Sequence, residues 1–225
     1  MLSKTESGRA ATKTPMPSSS SQITFIVSGP SGCGKSTLVE KMLLLPEIMF
    51  SISCTTRKPR RAEDPGKWYN FVSEEEFEGM VGRGEFLEHA RVFGRYRYGT
   101  PKRWLEEARA KGWDLVLEID VQGAAQVRRA LPDSISIFIL PPSRQALGER
   151  LRTRGQDTEE EIERRLGQAQ QEILEHVANY DHVVINDELE RAGRNVQSIV
   201  LAARSRSRIT LGSRAVRDVL RSFGG

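Results

Sequence analysis

One glycine-rich run restricts the possible folds of this chain more than any other feature. Its residues are spaced G-x-x-x-x-G-K-S and stand between an apolar stretch and a helical pattern: Gly29-Pro30-Ser31-Gly32-Cys33-Gly34-Lys35-Ser36. Glycines let successive backbone N–H groups converge on phosphate oxygens, while the lysine reaches the outer phosphates and the hydroxyl can ligate Mg²⁺. The run therefore predicts a phosphate-binding loop between a buried strand and a helix. A glycine-rich turn with a surface lysine is the simpler alternative.

Short apolar runs alternate with longer amphipathic stretches along the rest of the chain. This alternation is typical of a parallel sheet with crossover helices. Strands are expected at Ile23–Ser28, Ile48–Ser53, Leu115–Ile119, Ile135–Leu140 and His182–Ile185. Helices are expected over 35–45, over 122–130, from Ser143 onward and from Thr158 to about Asn179. The predicted fold class is α/β, with a P-loop-type parallel sheet core and helices on both faces.

Residues 53–100 have a different pattern. Two predicted strands, Trp68–Val72 and 86–93, flank a short helix, with Gly and Tyr interleaved. Two capping boxes, over 73–76 and 158–161, place a hydroxyl three residues before a Glu and predict helix starts there. We interpret residues 53–100 as a mixed α+β lobe inserted into the core.

Composition and charge exclude several classes of protein. The chain is 38% hydrophobic and 28% charged, and its longest apolar runs fall far short of a membrane span of about 20 residues. The net charge of +4 is concentrated in residues 1–22 and 204–225, so the body between them carries a net negative charge. Duplex binding needs positive charge clustered on the folded body. Neither a nucleic-acid partner nor a membrane is therefore expected.

The two ends are interpreted as extensions of this body. Residues 1–22 are rich in Ser and Thr and poor in apolar side chains, which predicts a disordered tail; an organelle-targeting peptide is the minor alternative. Residues 204–225 are a basic C-terminal extension in which 211–222 can form a helix. Cys33 and Cys54 have no Cys-x-x-Cys spacing, so a reducing, cytoplasmic location is expected.

A second candidate anion site follows the second predicted strand. Arg57 and Arg60 lie three residues apart with Pro59 between them. Two guanidinium groups at the carboxyl end of a strand suit a phosphate monoester, because each can donate two parallel hydrogen bonds. A solvated basic loop is an equally simple interpretation of these residues alone.

Taken together, the sequence resembles the guanylate kinase family. The resemblance rests on six segments in the order of that family: Gly29–Thr37, Ser53–Arg60, Gly66–Val72, Phe86–Ala90, Tyr98–Thr100 and Leu117–Gly123. It extends over residues 23–203 and implies a core of 23–52 and 101–203, a GMP-binding lobe of 53–100 and a helical lid at about 150–165.

The resemblance implies Mg²⁺-dependent transfer of the γ-phosphoryl group of ATP to GMP or dGMP, giving ADP and GDP or dGDP. The implied ATP-binding residues are Gly29, Pro30, Ser31, Gly32, Cys33, Gly34, Lys35, Ser36, Thr37, Arg150 and Asn186. The implied GMP-binding residues are Ser53, Arg57, Arg60, Tyr69, Glu88, Tyr98, Thr100 and Asp120. Lys35, Arg57, Arg154 and Arg165 are the implied catalytic residues, and Ser36 with Glu118 the implied Mg²⁺ ligands.

Several alternatives stay open at this point. The spacing before Tyr98 is one residue longer than is usual in the family, so Tyr96 is a second candidate for the phosphate contact. Glu118 and Asp120 alternate on one predicted strand and are expected to point to opposite faces, one serving the metal and one the nucleotide. Arg152 and Arg164 are better explained as partners of glutamates on a helix surface.

Two other functions compete with this interpretation. One is a protein-binding module that has lost catalysis; the intact Lys35, Ser36 and lid arginines argue against it. The other is a P-loop kinase for a different phosphorylated small molecule; the joint presence of Ser53, Glu88 and Thr100 argues for guanine. A monomer and a homodimer are both compatible with the sequence.

Overall fold

A computed structural model describes residues 22–59, 66–92, 95–153, 155, 158–206 and 214–222. The strands are β1 (Thr24–Ser28), β2 (Ile48–Phe50), β3 (Ser53–Thr55), β4 (Tyr69–Phe71), β5 (Phe86–Val92), β6 (Tyr96–Pro101), β7 (Asp114–Glu118), β8 (Ile135–Leu140) and β9 (His182–Ile185). The helices are α1 (Lys35–Met42), α2 (Glu74–Gly82), α3 (Arg103–Lys111), α4 (Val121–Ala130), α5 (Arg144–Thr153), α6 (Glu159–His176), α7 (Leu189–Arg204) and α8 (Arg214–Ser222).

Five strands form a parallel sheet, the first sheet, in the order β2-β7-β1-β8-β9. Its central strand β1 is buried along its whole length and pairs with β7 and β8. Parallel strands covered on both faces are typically apolar without interruption, because neither face meets water. This is why β1, β7 and β8 are short apolar runs in the sequence.

Helices cover both faces of the first sheet. On one face, α1 and α7 pack Leu38 and Val196 into a cluster that contains Phe25 of β1. On the other face, α4 packs Val127 into a second cluster that contains the next strand residue, Ile26. The predicted fold class is confirmed: the core is a parallel sheet between two layers of helices.

The remaining four strands form a mixed sheet, the second sheet, in the order β4-β3-β6-β5. Strand β3 is parallel to β4 and antiparallel to β6. This sheet and α2 share a small core of their own, in which Phe77 stacks on Phe86 with a ring separation of 4.6 Å and to which Cys54 also belongs.

The single strand predicted over Ile48–Ser53 is wrong. The structure divides it into β2 of the first sheet and β3 of the second. The backbone N–H of Ser51 still donates to Val116 of the first sheet, and the next carbonyl, that of Ile52, accepts from the Trp104 indole at 2.9 Å. The chain therefore crosses between the sheets at Ser51 and Ile52.

Helix ends follow local chemistry. The side chains of Ser73 and Thr158 accept from the backbone N–H groups of Glu76 and Glu161, so both predicted caps are confirmed. Helix α1 ends at Met42, before the predicted 45, because the next residues form i→i+3 turns. Among the described residues, no helix is long and apolar enough to cross a bilayer.

Helices α5 and α6 pack against each other through a separate apolar cluster of Leu147, Leu151, Ile162, Leu166 and Ala169. Of the predicted C-terminal helix over 211–222, the part from Arg214 to Ser222 is helical, and 211–213 lie outside the described residues. Apart from Gln22, the predicted N-terminal tail also lies outside them.

Candidate functional site

A cavity of about 510 Å³ lies between the two sheets and is bounded by the phosphate-binding loop, the second sheet, the start of α4 and one face of α6. The loop follows the carboxyl end of β1, the edge at which open α/β sheets bind ligands. The predicted site residues that line the cavity are Gly29, Ser31, Gly32, Gly34, Lys35, Ser36, Thr37, Ser53, Arg57, Tyr69, Glu88, Tyr98, Glu118 and Asp120.

Six of the other eight predicted site residues are described by the structure and do not line this cavity. They are Pro30, Cys33, Thr100, Arg150, Asn186 and Arg165. Arg60 and Arg154 lie outside the described residues.

The phosphate-binding loop has a backbone that only glycine adopts without strain. Gly29, Gly32 and Gly34 have φ angles of +135°, +92° and +93°. A Cβ atom on Gly29 would lie 2.4 Å from the carbonyl oxygen of Ile139. The Lys35 ammonium donates to the carbonyls of Gly29 and Pro30, at 2.6 and 3.0 Å, and so lies across the loop.

Two predicted ATP contacts brace the loop from behind. The amide of Asn186 donates to the Cys33 carbonyl at 2.8 Å, and Arg150 donates to the Asn186 carbonyl at 2.7 Å. A Cβ atom on Gly34 would lie 2.2 Å from the same amide nitrogen of Asn186. Three carbonyls of the loop, those of Gly29, Pro30 and Cys33, are thus hydrogen-bonded to side chains of the protein itself.

A hydroxyl and a carboxylate meet beside the loop. The Ser36 hydroxyl donates to Glu118 Oε1 at 3.0 Å. Strand β7 ends at Glu118, and Asp120 caps α4 by accepting from the Gly123 N–H at 2.8 Å. Both acids line the same cavity, so the expectation that they point to opposite faces is wrong. Residues two apart on a strand share a face, and Asp120 also lies beyond the end of β7.

The Ser36 hydroxyl and the Glu118 carboxylate fit Mg²⁺, which is commonly held by one or two protein oxygens together with substrate phosphates. Within the described part of the chain, no three His, Cys, Asp or Glu side chains cluster closely enough to form a metal cage by themselves. The donor set therefore suits a metal that arrives with a nucleotide.

A buried acid lies at the far end of the cavity. Glu88 on β5 is 3% exposed and accepts from the Thr100 hydroxyl at 2.7 Å, and this hydroxyl lies 3.3 Å from that of Ser53. Burial, with a smaller contribution from the charge of Asp120, raises the pKa of Glu88 to about 7. Burial also raises the pKa of Asp120.

Arg57 is held in place between these two ends of the cavity. Its guanidinium carbon lies 5.5 Å from the ring centres of both Tyr69 and Phe71. Its Nε donates to the Tyr98 hydroxyl at 3.1 Å, whereas Tyr96 lies instead beside Arg95. Of the two tyrosine candidates, the structure thus brings Tyr98 to the arginine.

The polar face of α6 is a part of the site that sequence reasoning missed. Its cavity-lining residues are Gln168, Gln171, Glu172, Glu175 and His176. The Oε1 atoms of Gln168 and Glu172 are buried and have no hydrogen-bond partner among the described residues, and burial raises the pKa of Glu172. Polar residues spaced four apart, at 168, 172 and 176, were the available signal, but a solvated helix face has the same spacing.

Three arginines of the α5–α6 region, Arg152, Arg164 and Arg165, are paired with glutamates. Arg152 binds Glu159 and Arg164 binds Glu161, which agrees with the surface interpretation of these two arginines. Arg165 is 17% exposed and lies 3.7 Å from Glu161.

A phosphate-binding loop that shares one cavity with a second, arginine-bearing pocket defines a P-loop phosphotransferase for small molecules. The family model described as "Guanylate kinase" matches residues 21–203. A guanylate kinase of Koribacter versatilis is 50% identical over 87% of this chain and 85% of its own length, and one of Nitrosomonas europaea is 51% identical over 80% and 89%. The crystal structure of guanylate kinase from Anaplasma phagocytophilum superposes with a TM-score of 0.70 at 34% identity, covering 92% of this chain and 97% of that one.

The chain therefore belongs to the guanylate kinase family. It is an ATP:GMP phosphotransferase.

Proposed function

We propose that the cavity binds ATP with Mg²⁺ at the phosphate-binding loop and GMP at the second sheet, and that it holds them for direct phosphoryl transfer. The observation that carries this assignment is the single cavity lined by Lys35 and Ser36 at one end and by Arg57 and Glu88 at the other. Phosphoryl transfer depends mainly on positioning and on neutralising the charge of the moving group.

Glu88, Thr100 and Ser53 read the guanine base. Ionised Glu88 accepts from N1–H and the N2 amino group together, and the adjacent Thr100 and Ser53 hydroxyls satisfy O6. Adenine would present an acceptor nitrogen to the same carboxylate, and a buried polar group left without a partner opposes binding. The hydrogen bonds among these three side chains support this role, and Asp120 is placed to accept a further donor from the base.

Arg57 holds the phosphate of GMP, assisted by Tyr69, Tyr98 and Arg60. Contact with two aromatic rings and the Tyr98 hydroxyl orients the guanidinium before the ligand arrives. An oxygen of this phosphate attacks the γ-phosphorus of ATP, the bond from γ-phosphorus to the bridging oxygen breaks, and ADP leaves. No general base is required, because a phosphate monoester is already anionic at neutral pH.

Lys35 and Ser36 act on the donor side. Lys35 exchanges its two loop carbonyls for the β- and γ-phosphates, and N–H groups of the loop donate hydrogen bonds to the other phosphate oxygens. Ser36 and Glu118 would hold Mg²⁺, which neutralises charge on the triphosphate. Arg154 and Arg165 meet the transferring group when the lid of residues 150–165 closes, with Arg150 and Asn186 on the ATP side.

The two parts of the chain divide the two substrates between them. The core of 23–52 and 101–203 carries the ATP side, and the lobe of 53–100 carries the GMP side. We place the reaction in the cytoplasm, which suits two buried free cysteines, Cys33 and Cys54. A monomer or a homodimer would serve, and neither a nucleic acid nor a membrane is required.

The test is ADP release from MgATP with GMP, dGMP, AMP, UMP or no acceptor. Turnover with GMP and dGMP alone is expected, because each base and phosphate contact above is independent of the 2′-hydroxyl. Comparable turnover with AMP would contradict the proposal that the site selects guanine. Folded protein that binds GMP without turnover would contradict the catalytic assignment and favour a binding module.

A further inference from the structure

An amide side chain of α4 hydrogen-bonds the open edge of the second sheet. Within the part of the chain that the structure describes, β5 is the last strand of that sheet, so one side of its backbone has no strand partner there. The Gln126 amide fills this position at His89. Its Nε2 donates to the His89 carbonyl at 2.9 Å, and its Oε1 accepts from the His89 N–H at 3.3 Å. Gln126 thus makes the pair of bonds that a neighbouring strand would make.

The residue before His89 on β5 is Glu88, the buried acid of the base pocket. Helix α4 approaches Glu88 one turn before Gln126, because a Cβ atom on Gly123 would lie 2.5 Å from Glu88 Oε2. Asp120, three residues earlier, caps the same helix and lines the cavity. Positions 120, 123 and 126 are spaced by three and lie along one side of α4, the side that meets β5.

Helix α4 is itself fixed to the first sheet. Ala124 and Val127 are 1% and 0% exposed and belong to the apolar cluster on that sheet's face. A contact between α4 and β5 therefore sets the position of the base pocket relative to the half of the site that holds ATP. The two hydrogen bonds of Gln126 join α4 directly to β5 at His89, the residue next to Glu88.

We infer that Gln126 is a positioning residue for guanine recognition: it holds β5 so that the Glu88 carboxylate faces both donors of the base. Gln126 does not touch the substrate. The inference rests on the proposed role of Glu88 as the reader of the base. A carboxylate can accept from N1–H and from the N2 amino group at once only over a narrow range of positions. A small displacement of the carboxylate therefore weakens this recognition.

The predicted consequence is a loss of discrimination rather than a loss of turnover. Inosine monophosphate carries hypoxanthine, which lacks the N2 amino group, so it forms only one of the two bonds to Glu88. When β5 shifts, GMP loses the bond from its amino group and IMP has no such bond to lose. The ratio of kcat/KM for GMP to that for IMP then falls.

The experiment uses Gln126→Ala and Gln126→Leu in the full chain. Leucine keeps most of the side-chain volume and removes both hydrogen bonds, so agreement between the two variants separates the bonds from packing. The matched control is Gln145→Ala, an exposed residue of α5 whose amide bonds only Glu149 among the contacts of the described residues. We expect a five- to tenfold fall in the GMP-to-IMP ratio, about the effect of one hydrogen bond, through a higher KM for GMP with kcat and the KM for ATP preserved.

Glu88→Gln, measured beside these variants, separates failure of the inference from failure of the proposed function. An unchanged ratio in the Gln126 variants with a collapsed ratio in Glu88→Gln would leave base reading intact and overturn the positioning role. A parallel loss of kcat with GMP and IMP, at constant ratio, would also overturn it, because a merely structural role lowers both substrates alike. An unchanged ratio in Glu88→Gln would reject Glu88 as the base reader and the inference with it.

Discussion

At the scale of single residues, Lys35 shows how the loop orients its own charged side chain. Its ammonium donates to the Gly29 and Pro30 carbonyls, at 2.6 and 3.0 Å. Nucleotide binding must replace these two neutral acceptors by phosphate oxygens, and bonds to charged acceptors are about twice as strong. The side chain is thus already at the loop before ATP arrives.

Lys35→Ala is expected to lower kcat by about a hundredfold or more, the range seen when one charge-stabilising donor is removed from an active site. GMP binding should be preserved, because the acceptor pocket does not include this side chain. Lys111→Ala is the matched control, since Lys111 pairs with Glu107 on the surface of α3. ADP release with GMP as acceptor is the measurement, and turnover near the parent level would contradict the mechanism.

The sequence predicts residues of this kind well when a motif specifies their chemistry. The G-x-x-x-x-G-K-S run leaves little freedom for Lys35 and Ser36. This motif could not predict that Arg150 and Asn186 both donate to the Cys33 carbonyl of the loop. These residues lie 117 and 153 positions from Cys33 in the sequence. Such pairs depend on how the helices pack and leave no local pattern.

At the scale of elements, helix starts illustrate local control. The Thr158 hydroxyl accepts from the Glu161 N–H and begins α6, the helix that carries Glu172 and Arg165. A capping side chain satisfies one of the first N–H groups, which have no partner inside the helix.

Thr158→Ala is expected to lower the free energy of unfolding by about 1 kcal/mol. Thr158→Ser keeps the hydroxyl and should restore most of the loss. Urea unfolding of the three proteins is the measurement. If serine and alanine were equally destabilising, the lost methyl group would be responsible and the cap would not.

Element boundaries were predictable where one force dominates. Strands β8 and β9 have the predicted limits, because each is an apolar run in a parallel sheet. The run from Ile48 to Ser53 has the pattern of one strand but is not one, because apolar residues continue while the chain passes from the first sheet to the second. The hydrophobic pattern indicates which residues are buried, but it does not indicate which sheet they belong to.

At the scale of the whole molecule, burial of Glu88 makes stability depend on pH. Its pKa is about 7 in the folded chain against an ordinary value of 4.5. Between these values the folded state keeps a proton that the unfolded state releases, so this group's contribution to stability is fully present below about pH 4.5 and is lost as pH rises through about 7.

Comparison of the parent chain with Glu88→Gln isolates this contribution. The free energy of unfolding of the parent, relative to the variant, should fall by about 3 kcal/mol between about pH 4.5 and about pH 8. Urea titrations of both proteins across this range are the measurement. A constant difference between the two proteins would mean that Glu88 ionises in the folded chain as it does in water.

The relative placement of distant parts was beyond sequence reasoning. The order of motifs predicted both pockets, but nothing in the sequence predicted that α6 would line the same cavity as the loop. Lys35 and Glu172 share that cavity although 137 positions separate them. Packing of α5 on α6 through their own apolar cluster sets this arrangement.

The tryptophans give this enzyme a built-in optical signal. Trp104 donates its indole N–H to Ile52 where the chain passes between the sheets, and Trp68 lines the cavity with its ring 4.9 Å from that of Phe50. Trp113, 38% exposed, would contribute background emission. After Trp113→Phe, the fluorescence of the remaining two indoles should change on addition of GMP, so that GMP binding could be timed without attaching a dye.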